Sequence, residues 1–172
     1  MSRLIIRPIE RRDLDFIMHL EEVAYGHAWD QRLLMRLLER KSSLGSVACI
    51  DEMCLGYSII RKMRNARTDE RRMYLDSLAV IESVRRQRIG TALMFEIYKY
   101  LTPQRSVLET HIFETELCSQ LFLRSCGWVA AETLFEEGCL EVFRMIFRRE
   151  WLETVEREDF LNRKASCAIV TK

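Results

Sequence analysis

The chain has 172 residues, 48% of them apolar, which is the size and composition of one domain with a closed core. Its 27 basic and 26 acidic side chains leave a net charge of +1, so no broad field steers it toward nucleic acid or an anionic membrane. The longest run free of Asp, Glu, Lys and Arg is Ser42 to Ile50, far short of the roughly 20 apolar residues of a membrane span.

Residues 3 to 7 form a short apolar run stopped by Pro8, which reads as an opening strand. Asp13 then caps a helix in which Leu14, Ile17, Met18 and Glu21 recur at helical spacing, ending near Tyr25 and Gly26. Asp30 caps a second helix with a one-sided stripe of Leu33, Leu34, Leu37 and Leu38. Residues 46–50 and 54–61 are β-type runs joined by Asp51-Glu52, a hairpin pattern. Residues 61–72 hold six basic and two acidic side chains and read as a loop. Residues 73–80 are a strand, the arginine-rich turn at 85–90 follows, and residues 91–101 form an apolar helix broken by Pro103. Residues 107–113 read as the next strand, 116–126 as a helix capped by Gly127, and 128–133 with 140–147 as a final strand pair around Glu136-Glu137-Gly138. We therefore expect a single domain over residues 1–172, mixed α and β, with 148–172 as a C-terminal helical extension.

Cys49, Cys54, Cys118, Cys126, Cys139 and Cys167 form no CxxC pair and mostly lie in apolar runs, so they read as reduced core thiols. His19, His27 and His111 form no ligand-spaced cluster with cysteine, and no metal site is expected. Arg7 and Pro8 interrupt the stretch where a signal peptide needs its apolar core, and the expected location is cytoplasmic.

Strand, basic turn and helix together make an anion site, because the first amides of a helix lack intrahelical partners and its dipole favours negative charge. Arg85, Arg86, Gln87 and Arg88 precede Ile89-Gly90-Thr91 at such a place, and three guanidiniums beside free amides suit a pyrophosphate. Gly90, without a Cβ, lets the backbone approach a ligand closely.

Tyr74-Leu-Asp-Ser-Leu-Ala-Val80, followed after four residues by Arg85-Arg-Gln-Arg-Ile-Gly-Thr-Ala-Leu93, resembles the acetyl-CoA-binding motif of the GNAT N-acetyltransferase superfamily, Q/R-x-x-G-x-G/A at the start of a helix. The resemblance runs over about residues 3 to 147 and takes in the Leu123-Arg-Ser-Cys-Gly-Trp128 helix end. Glu21 to Trp29 and Leu108-Glu-Thr-His111 look most like the ribosomal-protein-alanine N-acetyltransferase group. It implies a mixed, mostly antiparallel central sheet with helices on both faces, and acetyl-CoA as cosubstrate. It also implies that Arg85, Arg86, Gln87, Arg88, Ile89, Gly90 and Thr91 hold the pyrophosphate, while the backbone of Leu78, Ala79 and Val80 pairs with the pantetheine arm. The reaction implied is direct attack of a neutral amine of a protein, peptide or small molecule on the acetyl carbonyl. Trp29 and His27 lie in a region that resembles the acceptor wall of related enzymes.

Three positions depart from the family pattern: Arg88 stands where an earlier glycine is usual, Leu123 where many members place an acid tyrosine, and Glu116 where an asparagine commonly meets the cofactor. Glu109 and His111 share a strand face and are the candidate bases, with Asp76 a further candidate for the amine site; strand parity lets only one of Asp76 and Ser77 face it. Tyr25, Tyr57 and Tyr74 are the hydroxyls left to replace the missing acid. The rival expectation is a non-catalytic acyl-CoA-binding regulatory module. Oligomeric state, a homodimer included, stays open.

Overall fold

The computed structural model describes residues 3–27, 29–64, 69–135, 141–154 and 170–171. The chain divides into two compact units, Met1–Arg61 with Leu75–Lys99 and Ser166–Lys172, and Lys62–Tyr74 with Tyr100–Ala165. Its secondary structure is mixed, and its strand pairings are mostly antiparallel. Among the described residues no helix is long and apolar enough to cross a membrane.

In the first unit the strand order is β8 (Val170–Thr171), β1 (Leu4–Pro8), β2 (Ser43–Ile50), β3 (Met53–Arg64) and β4 (Arg71–Val80). Helices cover both faces, as alternation along the strands requires. Helices α1 (Leu14–Tyr25) and α2 (Gln31–Glu39) pack with Val47, Cys49, Tyr57, Ile59 and Ala79, while α3 (Ile89–Tyr98) packs with Leu4, Ile6, Ala48 and Leu55. Leu55 and Tyr57 lie in different clusters although they are two residues apart. The register explains it: Ala48 pairs with Gly56 and Cys49 with Cys54, so Leu55 is the extra residue of a bulge and the alternation shifts by one. Gly56 is required there, since a Cβ would lie 2.7 Å from the Ala79 carbonyl oxygen.

Helix α1 ends as the sequence predicts, at Gly26 with φ 74°. The Asp30 carboxylate accepts from the amides of Arg32 and Leu33 and caps α2. Asp13 departs from expectation. Its carboxylate does not cap α1; it accepts from the Glu10 amide and from Arg7 at 2.6 and 2.8 Å, joining β1 to the turn before the helix. Burial pushes the Asp13 carboxyl up, but the hydrogen bonds from Arg7 and Glu10 outweigh it and hold the group below the ordinary range.

The second unit orders β6 (Val129–Phe135), β7 (Glu141–Arg148), β5 (Val107–Phe113) and the start of β4, whose Met73 and Tyr74 pair in parallel with Leu108 and Glu109. Helix α4 (Leu117–Ser125) ends in the predicted glycine cap, with Gly127 at φ 86° and the Trp128 amide on the Leu123 carbonyl. Trp128 meets Phe147 at a tilt, and Phe147 meets Trp151 edge to face.

One expectation fails, at two strand ends. Residues 61–64 and 71–72 are strand rather than loop, because their charges find partners: Arg61 on Asp76, Arg64 on Asp69 and Arg72 on Glu109. A residue count of charge cannot separate a solvated loop from a charge-paired strand end. The C-terminal segment includes a two-residue strand beside β1, with a short helical turn from Arg149; of the extension expected over 148–172, residues 155–169 lie outside the described residues, as does the turn at 136–138.

Candidate active site

The arginine turn leaves β4 through a 3-10 turn at Glu82–Val84 and enters α3 at Ile89. Arg86 and Arg88 both have left-handed backbones, at φ 62° and 65°. The first amide to close a helical turn is that of Ala92, on the Arg88 carbonyl, so the amides of Ile89, Gly90 and Thr91 stand ahead of it. Arg85, Arg86, Gln87 and Arg88 are exposed, and Ile89 is buried beneath them. Successive main-chain donors with alternating backbone hand, at a helix N-terminus and rimmed by guanidiniums, form a concavity suited to a phosphate group. The left-handed geometry also explains why a glycine is usual at Arg88.

On β4, burial alternates: Met73, Leu75, Ser77 and Ala79 are buried, and the residues between them are half-buried. Ser77 therefore faces α1, and Asp76 faces away from it. Asp76 receives two hydrogen bonds from Arg61, at 2.5 and 2.6 Å, and burial outweighs that guanidinium so that the carboxyl titrates above its ordinary value. The carbonyls of Leu78 and Val80 are also engaged, the first by the Tyr25 hydroxyl at 2.8 Å and the second by Arg85 Nε at 3.2 Å.

Beneath Ser77 lies a network that reading by residue type did not assemble. Glu21 on α1, Tyr57 on β3 and Ser77 on β4 are 2%, 0% and 7% exposed. Both hydroxyls donate to Glu21 Oε1, and they lie 2.9 Å from each other. Burial, then the neighbouring Glu21, drives the Tyr57 phenol far above its ordinary value, which keeps it protonated. The signal available was Glu21 itself, an acid on the apolar stripe of α1. Trp29, by contrast, packs against the same core, and His27 is exposed beside Tyr25.

In the second unit Glu109 and His111 share a face of β5, as predicted, while Leu108 and Thr110 are buried on the other. Glu109 lies between Arg72 at 2.7 Å and Arg144 at 3.3 Å. His111 is exposed, and its ring meets the edge of Tyr74 with centroids 5.7 Å apart. Leu123, at the expected acid position, is a buried core residue of α4; Glu116 precedes that helix without capping it through its side chain.

The sequence matches the Acetyltransferase (GNAT) family over residues 14–128. The chain belongs to the GNAT acetyltransferase family. A search of curated proteins finds no match. Among solved structures it is similar to Arabidopsis thaliana NAA60 in complex with acetyl-CoA, with TM-score 0.73 at 13% identity over 86% of this chain and 99% of that one. The Escherichia coli ribosomal-protein-S18-alanine N-acetyltransferase superposes with TM-score 0.70 at 16% identity over 84% and 93%. A chain of the NatC complex bound to Gag peptide and CoA gives TM-score 0.71 at 14% identity over 85% and 98%. The GNAT fold anticipated from the β4–α3 motif is the fold of the chain.

Proposed function

We propose that the chain is an acetyl-CoA-dependent N-acetyltransferase whose acceptor is a primary amine, with the N-terminus of a protein or peptide as the acceptor class. The observation that carries this is the run of amides without an intrahelical partner at the head of α3, preceded by left-handed Arg86 and Arg88, within the stretch that matches the family. The donor set fits the group: main-chain amides and guanidiniums from Arg85 to Thr91 for a pyrophosphate, and the backbone of Leu78, Ala79 and Val80 for an extended amide-bearing arm. The similar structure bound to Gag peptide and CoA supports a peptide acceptor.

When bound, acetyl-CoA supplies an activated acetyl thioester. His111 takes the proton from the attacking amine: an imidazole accepts a proton near neutrality with little tuning, whereas Glu109 and Asp76 are already committed to arginines. Tyr74, against the His111 ring, orients it. Tyr25 is the hydroxyl held on β4 at Leu78 and is the proton donor offered to the leaving thiolate; Tyr57 is enclosed and strongly protonated. The test is calorimetry with acetyl-CoA followed by mass spectrometry of a peptide panel. Absence of heat at high micromolar ligand overturns the proposal, and acetylated peptide N-termini support it.

One observation favours a second reading, a non-catalytic acyl-CoA-binding module: the usual acid position is the buried Leu123. It predicts acetyl-CoA binding with no acetylation of any amine in the panel.

A further inference from the structure

The β2–β3 hairpin brings together two thiols that five positions of sequence keep apart. Cys49 and Cys54 are opposite one another in the register, one rung in from the Ile50↔Met53 pair that closes the Asp51-Glu52 turn. Opposed residues of antiparallel strands have Cα atoms about 4.5–5.5 Å apart, within the roughly 4.4–6.8 Å that a disulfide spans. Both thiols are free, they point to the same face of the hairpin, and their sulfurs are 3.1 Å apart. Cys49 is buried and Cys54 is half-buried, so one sulfur is open to a small reagent and the other is shielded behind it. Among the described residues the exposed Cys118 offers no such partner, and Cys126 is enclosed in the core.

We propose that Cys49 and Cys54 form a modification site, a vicinal dithiol that peroxides oxidise reversibly to an intramolecular disulfide and that trivalent arsenicals bridge. With hydrogen peroxide the Cys54 sulfur attacks one peroxide oxygen, giving a sulfenic acid and water. The Cys49 sulfur then displaces the second oxygen as water. Two sulfurs lose one electron each, both thiol protons leave in the waters, and one S–S bond forms. Two charged groups flank Cys54: its thiol approaches Asp13 Oδ1 at 3.6 Å, and Arg7 Nη2 lies 3.9 Å from its sulfur. Burial first, then the hydrogen bond with Cys49, pushes the Cys54 thiol up to about 12, so Cys54 rests protonated and reacts slowly near neutrality. The inference does not depend on the enzymatic reading of the chain, because no residue of the proposed catalytic machinery takes part.

The experiment uses the full chain. After removal of reductant it is treated with hydrogen peroxide, the remaining thiols are alkylated, and tryptic peptides are weighed. Cys49 and Cys54 lie on one such peptide, Ser42 to Arg61, since no Lys or Arg interrupts it. The expected result is that peptide two hydrogens lighter and free of alkyl groups, returning to the doubly alkylated form after dithiothreitol. A Ser42 to Arg61 peptide that keeps both alkyl groups under peroxide sufficient to oxidise Cys118 overturns the proposal. Phenylarsine oxide is the second probe. Uptake of one arsenic per chain, lost in Cys49→Ser and in Cys54→Ser and kept in Cys118→Ser, supports the site; uptake unchanged in all three overturns it. The peptide measurement needs no variant, so a substitution that fails to fold does not blunt the test.

Discussion

In the first unit Glu21 is enclosed by two hydroxyls, with no cation against it among the described residues; in the second, Glu109 stands on a strand face between Arg72 and Arg144. The same functional group thus meets two opposite environments. Glu21 has lost its water and kept hydrogen bonds that only a fully assembled α1, β3 and β4 supply, so its role is to hold those elements together. Glu109 keeps partial access to water, and its carboxylate is held by two guanidiniums. Under the proposed function, proton transfer on β5 therefore falls to the exposed imidazole beside it, that of His111.

That contrast predicts a split between activity and stability. With a peptide acceptor, His111→Gln lowers kcat/KM by about 10²–10⁴, the usual contribution of a positioned base, while leaving the urea midpoint unchanged. Glu109→Gln lowers kcat/KM by less than tenfold. If the glutamate variant loses the larger factor, the assignment of the base reverses.

On stability the order inverts. Glu21→Ala leaves the Tyr57 and Ser77 hydroxyls with only each other and opens a cavity beneath α1, a loss of about 3 kcal/mol. Glu109→Ala frees two arginines that water can solvate, a loss of about 1 kcal/mol. Urea unfolding of the two variants measures the difference directly, and equal losses would remove the distinction between the two environments.

A smaller effect follows from Asp13, where arginine and burial meet. Its carboxyl is held below the ordinary range in the folded chain, so the unfolded chain takes up the proton first as pH falls. The stabilisation is complete above the ordinary Asp value and is lost as pH drops through the folded one. Denaturation at neutral pH and at about pH 3 shows it: the wild-type chain loses more stability between the two than Asp13→Asn, and parallel losses would contradict the role given to the Arg7 pair.

Elements were legible in the sequence where apolar spacing alone decides them. The strand at 107–113 and the helix ended by Gly127 lie where the pattern predicts. The β4–α3 motif was readable because its residues are contiguous. The Glu21 network was not, since its partners are 36 and 56 residues away and nothing in their spacing marks them. The cysteine pair was hidden for a related reason: its chemistry comes from hairpin register, and five positions apart match no sequence motif. Charge-paired strand ends escaped because composition treats an arginine the same way whether it faces water or an aspartate.

The smallest prediction tests the one family departure that the backbone explains. A left-handed conformation costs a residue with a Cβ about 1–2 kcal/mol, and Arg88 adopts it at φ 65°. Arg88→Gly removes that cost but gives the unfolded chain more freedom, a loss of about 0.5–1 kcal/mol, so the net gain is about 0.5 kcal/mol. Arg85 has an extended backbone at φ −60°, ψ 158° and carries no such strain. Arg85→Gly therefore meets only the entropic loss, and it also gives up the hydrogen bond to the Val80 carbonyl. Opposite signs for the two substitutions in paired urea titrations are expected. Equal destabilisation would mean that the Arg88 side chain makes up for its backbone, and the arginine would then be a selected feature of this turn rather than a tolerated one.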